Sequence, residues 1–322
     1  MASFLSIGRI GSAAAALLWL LVSGICAADE PKITFASRPF YAPFAYFAGL
    51  ERGPTAPKGF KVEHKQIFTE TRNKMLMAGA LDAGEMSLST YLIARERGTP
   101  LVLLGTGTKN LEEGNALFVR ANSAIKNQAD LAGKKIGVES MSSVTTIYHR
   151  AILQHRYKVP TDNIQWIVKP PPQLLALLKQ GEIDAAVLFS DVYFTAKESP
   201  DFRIIHELGY EGKAMVGDYL PAMVIVAQEK KLREIPGMGR ELVAAMKRSF
   251  SYAAANQEAM MGEWLKTRQM PPALLHRAWV SDQPSFTLTQ AEKDIIMRVA
   301  EWHNEQNIVS RKLKPEEIFI PF

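Results

Sequence analysis

From Lys32 to Ala227 the chain repeats one pattern, a short β-branched or continuously apolar run followed by a stretch with helical spacing. The runs are Ile33–Ala36, Val62–Ile67, Leu101–Gly105, Ala116–Arg120, Lys135–Val138, Ile164–Val168, Ala185–Phe189, Arg203–His206 and Ala222–Ala227, with a shorter one at Asp82–Glu85. They have the length and residue types of buried strands. One intervening helix is bounded explicitly. Pro170-Pro171-Pro172 opens it where a missing N–H costs nothing, Leu174, Leu175 and Leu178 follow, and Gly181 ends it. Strand–helix alternation implies an α/β fold with parallel sheets covered by helices on both faces. After Ala227 the alternation stops, and Glu241 to Asn307 reads as mostly helical. Leu242, Met246, Phe250 and Ala253 share one helical face, as do Ile295, Val299 and Trp302; these are core positions.

A chain of 322 residues, 47% hydrophobic and 22% charged, can bury a sizeable core. At about 100–200 residues per domain it suggests two domains. It holds no repeat, low-complexity tract or Gly/Ser linker, so the chain is expected to cross between domains by short strands that act as hinges. The net charge of +5 comes without a concentrated basic stripe, which argues against a nucleic-acid partner.

Met1 to Ala28 has the three parts of an export signal. Arg9 is its one charge, Ser12 to Ile25 is an apolar run too short to span a bilayer comfortably, and Cys26 and Ala28 precede a cleavage point before Asp29. An uncleaved anchor is the alternative. Ile25 occupies the place where a lipid-attachment motif needs a small residue, so Cys26, the single cysteine, belongs to the removed peptide. The mature protein is expected in the periplasm.

Catalytic signatures are missing. There is no G-x-S-x-G elbow, no phosphate-binding P-loop and no H-E-x-x-H, and Gly105-Thr106-Gly107 lacks the third glycine of a dinucleotide fingerprint. The six histidines show no metal-ligand spacing. No cofactor, metal or catalytic residue is expected. Among the carboxylates, only Asp191 sits where α/β folds place ligand-facing groups.

Ligands of open α/β sheets bind beyond the carboxyl ends of the strands. Five segments fall there. They are Ser37-Arg38-Pro39-Phe40-Tyr41, Phe68-Thr69-Glu70-Thr71-Arg72, Met86-Ser87-Leu88-Ser89-Thr90, Ser140 to Thr146, and Phe189-Ser190-Asp191. Hydroxyls, arginines, aromatics and helix-start N–H groups form an anion-binding inventory. The plainer reading makes the Ser and Thr residues helix caps and Arg38 a salt-bridge partner. The binding reading names Arg38, Phe40, Tyr41, Thr69, Thr71, Ser87, Ser89, Ser142, Ser143, Thr145, Phe189, Ser190 and Asp191. Arg38 would grip a carboxylate or sulfonate through two parallel hydrogen bonds, while Phe40, Tyr41 and Phe189 would enclose a flat body. Whether Arg72 faces the cleft stays open.

Two stretches, Asp130-Leu131-Ala132-Gly133-Lys134-Lys135-Ile136-Gly137-Val138 and Pro170-Pro171-Pro172 through Gly181-Glu182-Ile183-Asp184-Ala185-Ala186, resemble the solute-binding proteins of ABC importers for nitrate, sulfonate and taurine. The resemblance covers about Ile33 to Ala259. A narrower one, through Glu85-Met86-Ser87-Leu88-Ser89-Thr90-Tyr91-Leu92 and Ala151 to Trp166, is to the 4,5-dihydroxyphthalate decarboxylases. The chain departs from these at Thr108-Lys109-Asn110-Leu111-Glu112, where that family would carry an Arg-Phe-Arg-His-like segment.

The wider resemblance implies a type II periplasmic binding protein fold, two α/β lobes joined by two crossover hinges. Lobe one would hold residues 29–120 and 222–322, and lobe two residues 121–221. The crossings would lie at Arg120–Ser123 and Tyr219–Met223, with the C-terminal helices packed back on lobe one. It also implies a monomer that captures a small organic anion, an aromatic carboxylate or a sulfonate, and delivers it to an inner-membrane ABC permease. The alternative is an exported decarboxylase-like enzyme acting on a hydroxylated phthalate.

Overall fold

The computed structural model describes residues 30–322 apart from positions 52, 110, 218 and 269. The export-signal reading of Met1 to Ala28 lies outside the described residues. Among the described residues, ten strands form two five-stranded sheets. The first joins β1 (Lys32–Ser37), β2 (Lys61–Gln66), β3 (Ala83–Ser87), β4 (Leu101–Thr106) and β10 (Met223–Gln228), in the order β2-β1-β3-β10-β4. The second joins β5 (Asn115–Arg120), β6 (Lys135–Val138), β7 (Gln165–Val168), β8 (Ala185–Phe189) and β9 (Phe202–Glu207), in the order β7-β6-β8-β5-β9. All ten expected runs are strands, within one or two residues at each end.

Each sheet is mixed, where the alternation implied parallel ones. β1 pairs parallel with β2 and β3, and β6 parallel with β7 and β8. The exceptions are β5 and β10, each antiparallel to both its neighbours. They are the strands reached directly after the chain passes from one sheet to the other, so they enter from the opposite end.

β5 therefore lies in the second sheet, not with residues 29–120 of the first. The outward passage is 107–114, ahead of the expected Arg120–Ser123, and the return passage is 217–222. The passages touch. The Gly107 N–H donates to the Met223 carbonyl (2.7 Å) and the Ala222 N–H to the Thr108 carbonyl (2.8 Å). A Cβ on Gly107 would stand 2.9 Å from the Met223 oxygen, so only glycine fits there without a shift.

Both faces of the first sheet are buried, and residues one apart on β10 enter different cores. Ile225 packs with Phe35, Phe47, Leu242 and Met246, whereas Val224 packs with Met86, Leu103, Ile296 and Val299. The C-terminal stripes are thus core. One C-terminal helix departs from the expectation that all return to lobe one. Pro272–Ser281 packs against both α1 (Tyr41–Phe47) of the first lobe and α6 (Ser190–Lys197) of the second. It spans the cleft.

Candidate functional site: a charged cavity between the sheets

The carboxyl ends of β1, β2, β3, β6 and β8 face one cavity, open to solvent at its mouth. Arg38, Thr69 and Ser87 line it from the first lobe, and Ser143, Thr145, Phe189 and Ser190 from the second. The two passages add Thr108, Lys109, Glu113 and Ala222, and Ser281 and Asp282 come from the end of the helix that spans the cleft.

Arg38 follows β1 and is 5% exposed. Its Nε donates to Glu85 Oε2 (3.3 Å), and its Nη2 reaches Glu85 Oε1 and Asp282 Oδ1, both at 3.2 Å. Tyr46 Oη (3.3 Å) and Thr108 Oγ1 (3.4 Å) complete the shell. Burial opposes the guanidinium charge, but Asp282 and Glu85 outweigh it and raise the Arg38 pKa further. Arg38 is a salt-bridge partner, and a buried one: two carboxylates already hold it.

Arg72 is fully buried and donates to the carbonyls of Glu85 and Ile67, both at 2.7 Å. Burial lowers its pKa to about 10. It fastens the start of α2 (Thr69–Met77) to the end of β3 and does not line the cavity.

The helix starts expected to attract a ligand anion meet the protein's own groups instead. The Thr69 N–H donates to Glu139 Oε1 across the cleft (2.7 Å), and the Tyr41 N–H to Asp191 Oδ2 (2.8 Å). The first N–H of α4 (Val144–Ala151) donates to Ser87 Oγ (2.6 Å), and Ser143 caps that helix by accepting from the Thr146 N–H. Carboxylates at helix starts have the same dipole and N–H attraction that a ligand would. Here they close the two lobes on each other.

Several expected residues lie away from the cavity. Phe40 packs edge-on against Phe189 (5.5 Å) behind the cavity wall, and the Tyr41 ring stands against Trp264 (6.1 Å). Ser89 is buried against His303 Nε2 (2.7 Å), and Ser142 pairs with Ser140 (3.0 Å) while its carbonyl accepts from Thr90. Thr71 is exposed on the outer face of α2. Asp191 spends one oxygen on Tyr41 behind the wall. Tyr41, Thr71, Ser89 and Asp191 lie within first helical turns that carry them off the strand ends, whereas Phe40 and Ser142 lie in the turns before their helices. Residues at i and i+2 of a helix do not share a face.

Other groups at the cavity were not anticipated. Glu139 follows β6 and stands one residue before the segment Ser140 to Thr146. Asn115, at the start of antiparallel β5, sends Nδ2 to Thr145 Oγ1 (3.2 Å) and meets His149 Nε2 (3.3 Å) through Oδ1. A rule about carboxyl ends misses a strand that runs the other way. Asp282 follows a helix with no strand signal at all.

Burial raises the pKa values of Glu139, opposed by Arg72, and of Asp282, opposed by Arg38 and Thr108. Asp191 is pushed up to about 7, mainly by burial. Asp282 Oδ2, Asp191 Oδ1 and Ser190 Oγ are buried without a hydrogen-bond partner.

Known proteins share this architecture. The periplasmic aliphatic sulphonate binding protein SsuA from Escherichia coli superposes with a TM-score of 0.67 at 17% identity, over 90% of this chain and 92% of that one. A relative in E. coli (strain K12) named "Putative aliphatic sulfonates-binding protein" is 24% identical over 241 residues, 74% of this chain and 72% of the relative. A 4,5-dihydroxyphthalate decarboxylase of Comamonas testosteroni is 32% identical, but over 87 residues only, 27% of this chain; the chain spans 26% of that enzyme. The two mixed sheets and these neighbours place the chain in the two-lobed periplasmic binding protein fold. The model of the NMT1/THI5-like family matches residues 45–260, and the chain belongs to that family.

Proposed function

We propose that this chain is the exported solute-binding component of an ABC importer, which holds a small organic solute between its lobes and presents it to a membrane permease. The observation that carries this reading is the cavity itself. Both lobes line it, and polar groups bond across it at Thr69–Glu139 and Val144–Ser87. A solute touching both lobes at once binds the closed arrangement more tightly and so favours it. The relatives named for sulfonate binding support the same reading, as does the reading of Met1 to Ala28 as an export signal. Location in the periplasm, cleavage near Ala28 and a monomeric state belong to this proposal.

The organic-anion expectation rested on Arg38 as a free cation, together with the hydroxyls, helix-start N–H groups and aromatics of the strand-end segments. With Glu85 and Asp282 on its guanidinium, Arg38 offers an anion little uncompensated charge. The reading is of a binding protein rather than an enzyme, since the decarboxylase likeness is confined to 27% of the chain.

The test is thermal shift of the mature chain from Asp29 against phthalates, benzoates, alkanesulfonates, taurine, nitrate, pyrimidines and aromatic amidines. Binding to the native state raises Tm by mass action. A solute that raises Tm and is recovered intact is the expected result. Consumption of a hydroxylated phthalate with release of carbon dioxide would replace this reading with the enzymatic one.

A further inference from the structure

Five ionisable groups interact at and behind the cavity wall: Arg38, Glu139 and Asp282 line it, Arg72 and Glu85 lie behind them, and Lys109 and Glu113 add one charge of each sign to the lining. Of the five, two are cations and three are carboxylates. Glu85 spends both oxygens on Arg38, and Glu139 spends one on the Thr69 N–H. Asp282, a residue of the cavity lining, gives Oδ1 to Arg38 and leaves Oδ2 buried and without a partner. Ser190 lines the same cavity, 4% exposed, with its Oγ also unpartnered. Its backbone sits at φ 54°, a left-handed conformation that a non-glycine residue holds only when its surroundings impose it.

An ionised carboxylate is acceptor-only and has about four lone-pair directions. A buried acceptor left unpaired costs about 1–3 kcal/mol, more when charged. An incoming carboxylate or sulfonate would bring further acceptors against Asp282 Oδ2. An N–H donor with positive charge would satisfy the oxygen and offset the second of the two carboxylates that share Arg38.

Resting on the solute-binding reading above, we propose that the solute carries a cationic nitrogen group, an amidinium, guanidinium or ammonium, seated on Asp282 Oδ2 beside Ser190 Oγ. Asp282 is the residue that selects for charge. Arg38 and Glu85 hold it in position.

Four probes on one ring separate charge from shape: benzamidinium, benzamide, benzoate and benzenesulfonate, each titrated calorimetrically into the mature chain. The expected result is benzamidinium binding about tenfold or more tightly than the other three. Asp282→Asn, which keeps an acceptor for Arg38 but removes the charge, should abolish that preference. Ser190→Ala, which removes no hydrogen bond to Arg38, should weaken benzamidinium about threefold to tenfold and serves if the first variant does not fold. Preference for benzoate or benzenesulfonate overturns the inference and leaves the solute-binding reading standing. Equal binding of benzamide and benzamidinium overturns the assignment of charge. Failure of all four to bind at millimolar concentration also overturns it, while the solute-binding reading is then decided by lobe closure.

Discussion

The Asp191 carboxylate, in the first turn of α6, accepts a hydrogen bond from the Tyr41 N–H at the start of α1 (2.8 Å), joining the two lobes. Its second oxygen has no partner. Burial, with Asp282 adding repulsion, raises its pKa from 3.8 to about 7. The native state therefore holds a proton that the unfolded chain releases above about pH 4. The Asp191 contribution to stability is lost as pH rises from there through 7. Asp191→Asn keeps an acceptor for Tyr41 without the charge. It should raise unfolding free energy at pH 7.5 by about 1–3 kcal/mol and have little effect at pH 4, measured by urea unfolding.

The buried histidines act with the opposite sign. Burial lowers His64, His206 and His303 from 6.5 to about 4, and His149 well below its ordinary range, with His206 beside it adding to the effect. They stay neutral in the native state while the unfolded chain takes up protons below about pH 6.5. Stability from this source is lost as pH falls from 6.5 towards 4. His303→Gln should flatten that acid limb relative to the parent, followed by circular dichroism. An unchanged limb would show that His303 does not titrate on unfolding.

Glu85 is one of two counter-ions of Arg38 and holds it through both carboxylate oxygens. Glu85→Gln leaves a buried guanidinium with Asp282 as its remaining carboxylate, and the loss should be about 3–5 kcal/mol. Chemical denaturation measures it. A change under about 1 kcal/mol would mean that Asp282 alone can neutralise Arg38.

Ser87 receives the first N–H of α4 from the other lobe. Ser87→Ala strands that buried donor at a cost of about 1–3 kcal/mol, and opening the lobes to water relieves it. The variant should therefore show a larger radius of gyration than the parent in X-ray scattering, with unchanged circular dichroism.

The strands were legible because each is a short apolar run between helix-spaced segments, as Lys135–Val138 and Ala185–Phe189 show by matching in both limits. The direction of β5 and β10 was not, because a hydrophobic run reads the same both ways. At the site, Ser87 and Ser143 were found from strand ends that open helices. Asp282 was not, because its place depends on the helix Pro272–Ser281 reaching across to α6, a contact between residues about 80 positions apart in sequence. Arg38 shows the deeper limit. Its position was legible from β1, but its availability depended on Glu85 and Asp282, and no local pattern announces a long-range partner.

Lobe closure is the direct test of the account. The chain has one cysteine, Cys26, in the segment proposed to be removed, so the mature protein from Asp29 can be labelled at two introduced cysteines. Thr71→Cys and Gln173→Cys place dyes at exposed positions on opposite lobes. Single-molecule energy transfer is then recorded with and without each solute of the thermal-shift panel. The account predicts exchange between a longer and a shorter distance, and a saturable shift to the shorter one with one chemical class of solute. A single fixed distance under every solute would contradict capture by closure.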